Sequence, residues 1–238
     1  MLFESSDGGR AWLRAAVPAG AANPYFDGAG GSWLVRSGPD LAYLLSSPSG
    51  PQGSSNYYVQ LWVTNNGGTS WAARRAPCNI GATAAVLSAA PDGTLFLVCA
   101  GGASAGFEPK SVLRSVDGGL HWALGVHCAL GPTRAPGCSS YINGGYLAGV
   151  VAVSASTVFV FGVRSSLLVS RDGGTSWAPV SPLIGDTGGF SGPLLLFSAK
   201  DAIVLGTNPR TNEDVSLWAT SDGGSRWTAV VPHIAQEP

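Results

Sequence analysis

Apolar residues in this chain come in short bursts separated by turn-rich polar stretches. LAGVVAVS is followed by TVFVFGV, GPLLLFSA by AIVLGT, and shorter runs such as LWVT, SVLRS, LLVS and SLWAT recur between them. No segment sustains the three-to-four-residue spacing of an amphipathic helix, so the pattern predicts short strands throughout. The runs group into sets of four, here termed a, b, c and d. A stereotyped eight-residue stretch lies between c and d in every set: SSDGGRAW from Ser5, TNNGGTSW from Thr64, SVDGGLHW from Ser115, SRDGGTSW from Ser170 and TSDGGSRW from Thr220. Its tryptophans, Trp12, Trp71, Trp122, Trp177 and Trp227, recur with a period of about fifty residues, the spacing of repeats that each form one four-stranded unit.

Each residue of the stretch has a local task. Asp7, Asp117, Asp172 and Asp222 carry short carboxylates that accept hydrogen bonds from the amides of their own turn, and Asn66 supplies the same acceptor in the second copy. The paired glycines permit positive φ in a tight connection. The leading Ser or Thr is expected to bond the facing strand, and the Trp to begin strand d and pack between units. Four aspartates and one asparagine spread over separate units cannot converge on one substrate, so the motif reads as scaffolding, and its closed turns are expected to offer no cleft.

The spacing S/T-x-D-x-G-x-x-W resembles the Asp box, or BNR repeat, found in sialidases, sortilin-type receptors, xyloglucanase-like glycosidases and photosystem II assembly factors. The resemblance spans nearly the whole chain, and in motif style and unit length it is similar to the assembly-factor group. It implies an all-β propeller of four-stranded antiparallel blades whose c–d hairpins are closed by the motif. The expected division is a single propeller domain over 1–238, with a half blade at 1–18 and full blades at about 32–77, 82–128, 146–181 and 191–232. The half blade owns only strands c and d. Its partners would lie upstream, or the ring closes through another chain or stays open.

Composition narrows the class. The chain has 238 residues, a formal net charge of −1, 45% hydrophobic residues and 11% charged ones. Without a basic cluster, the electrostatic footprint of nucleic-acid or anionic-membrane binding is missing. No apolar run reaches the length of a membrane-spanning helix. The start of the chain lacks a signal-peptide pattern.

Strand direction turns the repeat into a map. The c–d motif turns and the short a–b turns (SGPD, SAAPDG, VSAST, SAKD) share one end of the units, and the long b–c and d–a segments share the other. Binding is expected at the long-loop end, where rigid scaffolds usually present it. The candidate ligand contacts there are Tyr57, Tyr58, Glu108, Arg134, Tyr141, Asp186 and Arg210. Cys78, Cys99, Cys128 and Cys138 also fall at that end, in two pairs able to meet. Pairing Cys128 with Cys138 and Cys78 with Cys99 would staple long loops and imply an exported protein. Reduced, buried cysteines are the competing reading. A zinc site using His121, His127, Cys128 and Cys138 is disfavoured, because no CxxC pair exists and His121 belongs to the opposite end. No metal and no cofactor are expected.

Two functions fit. One is a non-catalytic binding or assembly module of an exported bacterial protein, located outside the cytoplasm, that recognises a protein or a glycan. The alternative is a glycoside hydrolase, sialidase-like or xyloglucanase-like, or a fragment of one. For a sialidase the resemblance requires an R-I-P signature and an arginine triad; the signature is absent, and Arg36, Arg134, Arg164 and Arg210 do not show the spacing. For a xyloglucanase it requires paired carboxylates, which Asp27, Glu108 and Asp186 would have to supply.

Overall fold

In the computed structural model, residues 2–5, 7–18, 32–46, 59–78, 82–128, 138, 142–163, 167–180, 194–198, 200–207 and 215–230 are described. Every regular element among them is a strand. A hairpin of β1 (Leu2–Glu4) and β2 (Leu13–Ala15) comes first. Four antiparallel four-stranded sheets follow, each in simple sequential order. The first holds β3 (Ser32–Arg36), β4 (Ala42–Ser46), β5 (Gln60–Thr64) and β6 (Ala72–Arg75). The second holds β7 (Ala84–Ala89), β8 (Leu95–Ala100), β9 (Lys110–Ser115) and β10 (Ala123–Cys128). The third holds β11 (Tyr146–Ala152), β12 (Val158–Val163), β13 (Leu168–Ser170) and β14 (Ala178–Pro179). The fourth holds β15 (Leu194–Leu196), β16 (Ala202–Thr207), β17 (Val215–Thr220) and β18 (Thr228–Val230).

Inner strands such as β8 are apolar on both faces because both faces are covered. All six residues of β8 are buried, the pattern of a strand sandwiched between neighbouring layers rather than one with a wet side. Successive side chains therefore belong to different cores. Tyr43 and Leu45 join Leu61, Leu87, Leu95 and Leu97 between the first and second sheets. Phe96, Val98 and Val112 join Val150, Val158 and Trp177 between the second and third. Phe159, Phe161 and Val169 join Leu194 and Val204 between the third and fourth. A smaller cluster of Leu44 and Trp62, with Val17 and Trp71, attaches the hairpin to the first sheet. Polar stitches follow the same seams: Ala152 N–H donates to Ser88 Oγ at 2.9 Å, and Ala155 N–H to Asp92 Oδ2 at 2.9 Å.

The register repeats from sheet to sheet. The last residue of each strand c, Thr64, Ser115, Ser170 or Thr220, faces the first residue of strand b, Ala42, Leu95, Val158 or Ala202. One step further along, Tyr43, Phe96, Phe159 and Ile203 occupy equivalent places. This equivalence allows the five motif turns to be compared residue by residue.

Candidate functional site

The two ends of the sheets are built differently. At the motif end the turns spend their polar groups on themselves. In the fourth copy, Asp172 Oδ1 accepts from Ser170 Oγ (2.7 Å), Thr175 N–H (3.1 Å) and Ser176 N–H (2.9 Å). Ser176 Oγ donates to Asp172 Oδ2 at 2.6 Å, and the Trp177 indole N–H donates to Gly174 O at 3.1 Å. The same Oδ1 pattern surrounds Asp7, Asp117 and Asp222. Asn66 reproduces part of it, accepting from Thr64 Oγ1 and Ser70 N–H. Both glycines of every motif have positive φ, from 66° at Gly67 to 93° at Gly174, a region where a Cβ is strained.

The leading hydroxyl differs from expectation. Instead of bonding the facing strand, it accepts the N–H of the second glycine, as in Gly174 N–H to Ser170 Oγ at 2.8 Å, while donating to the motif carboxylate. A short turn brings that amide closer than any group across the sheet.

These bonds set the acidities. The Asp7 carboxyl is held below its ordinary value, first by the Ala11 N–H and then by Ser5. Asp117 is lowered chiefly by the backbone N–H and the side chain of His121, and Asp222 chiefly by the Arg226 N–H. At Asp172 burial pushes the other way, but the Ser176, Ser170 and Thr175 hydrogen bonds prevail and bring it to about 2. All four are committed anions at neutral pH, which suits hairpin closure and not proton transfer.

At the opposite end the strands lead into the long segments, and that end is braced. Cys78 is joined to Cys99 and Cys128 to Cys138, both with Cα–Cα separations of 5.6 Å. Between the second and third sheets lies a buried ion pair. Lys110 Nζ sits 3.4 Å from Glu108 Oε2 and donates to Glu108 O (3.3 Å) and Gly145 O (3.2 Å). Leu147 N–H donates to Glu108 Oε2 at 2.7 Å. Burial pushes the Lys110 ammonium below its ordinary value, against the pull of Glu108. Removing either partner would strand a buried charge, so the pair locks the two segments together.

Of the candidate contacts, Glu108 alone is among the described residues, and its carboxylate is turned inward onto Lys110 and Leu147. Tyr57, Tyr58, Arg134, Tyr141, Asp186 and Arg210 lie outside the described residues, as does Asp27. Lys110 was not singled out from sequence. Its only signal is the acid-x-base spacing of EPK. Among the described residues, no group of three His, Cys, Asp or Glu side chains could hold a metal ion. No helix among them is long and apolar enough to cross a membrane.

The motif end, expected to offer no cleft, has one. A cavity of about 460 Å³ lies between the hairpin and the first sheet, lined by Phe3, Trp12, Leu34, Arg36, Asp40 and Trp71 among others. The physical reason is the two-stranded hairpin. In later units strands a and b cover the inner part of the neighbouring sheet, whereas beside β1 nothing described does so, and Leu34 is exposed.

No protein-family model matches the sequence, and no curated protein sequence matches it. In structure the chain is similar to YCF48 from Cyanidioschyzon merolae, with a TM-score of 0.53 at 15% identity, covering 96% of this chain and 65% of that one. It is similar to a GH74 enzyme from Niastella koreensis, with a TM-score of 0.53 at 18% identity, covering 86% of this chain and 30% of the enzyme. A protein of unknown function from Dyadobacter fermentans gives 0.52 at 17% identity, covering 84% and 68%. At such identities the likeness establishes the shared propeller-type fold.

Proposed function

We propose that the chain is a non-catalytic binding or assembly module of an exported bacterial protein, recognising a protein or glycan through its long-loop end. The observation that carries this reading is the contrast between the ends. The motif carboxylates are consumed by their own turns, whereas the opposite end is braced by two disulfides and a buried ion pair. Such bracing presents loops on a rigid base and lowers the ordering cost of binding. The disulfides favour an oxidising compartment outside the cytoplasm. Tyr57, Tyr58, Arg134, Tyr141, Asp186 and Arg210 are the proposed contacts; tyrosine offers apolar area with a polar tip, suited to either class of ligand.

The test is a screen of the purified protein on peptide and oligosaccharide arrays, followed by Arg134→Glu and Asp186→Lys on whatever binds. Binding should weaken by roughly tenfold or more while the melting temperature stays nearly unchanged. Binding that survives both changes but falls on altering a motif turn would overturn the assignment. A glycoside hydrolase needs two carboxylates facing a cleft, and Glu108 is engaged internally. Release of reducing sugar from a polysaccharide, lost on changing Asp27 or Asp186, would replace the binding reading with the enzymatic one.

A further inference from the structure

Three motif turns are seated on the sheet that precedes them. A Cβ at Gly119 would lie 2.8 Å from Leu61 Cδ2, one at Gly174 3.0 Å from Val112 Cγ1, and one at Gly224 3.0 Å from Phe159 Cε1. Gly118 and Gly174 also approach Tyr43 and Phe96, the strand-b residues equivalent to Phe159. The fourth sheet repeats this seat with Ile203 paired to Ala219, but no described turn occupies it. A groove of about 620 Å³ remains there, lined by Phe197, Asp201, Ile203, Ala219, Asp222 and Arg226 among others. Phe197 is 67% exposed, whereas Val153, which closes the equivalent a–b turn of the third sheet, is 9% exposed.

The opposite deficit occurs at the hairpin. A Cβ at Gly8 would meet nothing within 4 Å, and one at Gly9 only its own Trp12. Trp12 is 61% exposed against 6% for Trp177, and Phe3 is 50% exposed against 2% for the equivalent Leu168. Among the described residues, the hairpin carries a turn without a seat, and the fourth sheet a seat without a turn.

We propose that a second copy of this chain joins the two. The turn from Ser5 to Trp12 of one copy seats on Ile203 and Ala219 of the next, with Phe3 and Trp12 packing beside Phe197. The contact continues a packing that the molecule already makes three times within itself, so its geometry and apolar character are specified by the internal seams. It is head-to-tail, and therefore closes into a ring or extends into a filament according to the angle between copies. It goes beyond the ligand-binding role of the long loops and uses none of the residues proposed for it.

Sedimentation velocity on the full chain over a range of concentrations tests this, together with Phe3→Glu and Phe197→Glu. Both positions are exposed, and circular dichroism checks that the variants fold. The wild type should associate as concentration rises, and each variant alone should associate roughly tenfold or more weakly. An equimolar mixture of the two variants should form a dimer and nothing larger, because only one intact turn and one intact seat remain between them. A monomeric wild type overturns the proposal, as does association that survives both changes or a mixture that stays monomeric. A monomer whose Trp12 fluorescence is shielded from iodide also overturns it, since the turn would then be covered within one chain.

Discussion

The turn from Ser170 to Trp177 and the turn from Ser5 to Trp12 share one internal hydrogen-bond pattern and have opposite surroundings. In both, the motif carboxylate gathers two amides and the leading hydroxyl, and the indole N–H donates to the second glycine's carbonyl. One tryptophan is enclosed by the second and third sheets, and the other is largely bare. Local sequence therefore builds the turn, while the neighbouring sheet decides what the turn contributes to stability.

The largest expected effect tests this division directly. Trp177→Ala removes a buried indole and should destabilise by about 3–5 kcal/mol, whereas Trp12→Ala should cost less than about 1 kcal/mol. Urea titration of each variant measures both, with tryptophan fluorescence or circular dichroism as the signal. Equal costs would mean that the indole stabilises its own hairpin and owes nothing to the adjacent sheet.

The other end of the sheets is held covalently, which sets a second contrast. Cys78 and Cys99 are 21 residues apart, Cys128 and Cys138 only 10. Replacing either pair by serine should cost about 2–4 kcal/mol, with the wider loop at the higher end because more unfolded-state freedom is released. A free-thiol count on denatured, unreduced protein should find none. Four reactive thiols would remove the disulfides, and with them the main support for an oxidising compartment.

Much of this was legible in the sequence. The turns could be read because hydroxyl, carboxylate and paired glycines interact within eight residues, and the strands because their apolar runs are short and lack helical spacing. Strand direction put all four cysteines at one end, and their even count and spacing favoured the two pairs over reduced cysteines, as the structure shows. What could not be read depends on distant chain. Glu108 looked like a loop carboxylate open to ligand, yet Leu147, 39 residues later, claims one of its oxygens. Lys110 is buried because Gly145, 35 residues away, folds over it. Trp12 carries the same motif as Trp177, and nothing in the eight letters distinguishes a seated turn from a bare one. Among the described residues no strands a and b stand beside the hairpin, and the cleft lies there between the hairpin and the first sheet; the half blade was legible in the sequence, but the cleft it leaves was not.

The smallest effect concerns what the seated and bare turns share. Asp172 falls from an ordinary value of 3.8 to about 2 in the folded protein, and Asp7, Asp117 and Asp222 are lowered too. A depressed folded value stabilises above the unfolded value and is lost as pH falls through the folded one. Stability should therefore stay level down to about pH 5 and decline as pH drops from about 3.8 toward about 2. The second turn takes no part, because Asn66 does not titrate. That turn also shows what an amide can replace: Asn66 Oδ1 accepts the Ser70 N–H, and its Nδ2 donates to Ser70 Oγ at 2.8 Å. Asp172→Asn should consequently cost less at neutral pH than Asp172→Ala, which forfeits the acceptor and about 1 kcal/mol or more. It should also shallow the acid decline by one carboxylate's share. Urea midpoints measured between pH 7 and pH 2 decide the matter. If Asp172→Asn leaves the acid slope unchanged, the hydrogen bonds at that turn are not what holds the carboxylate ionised.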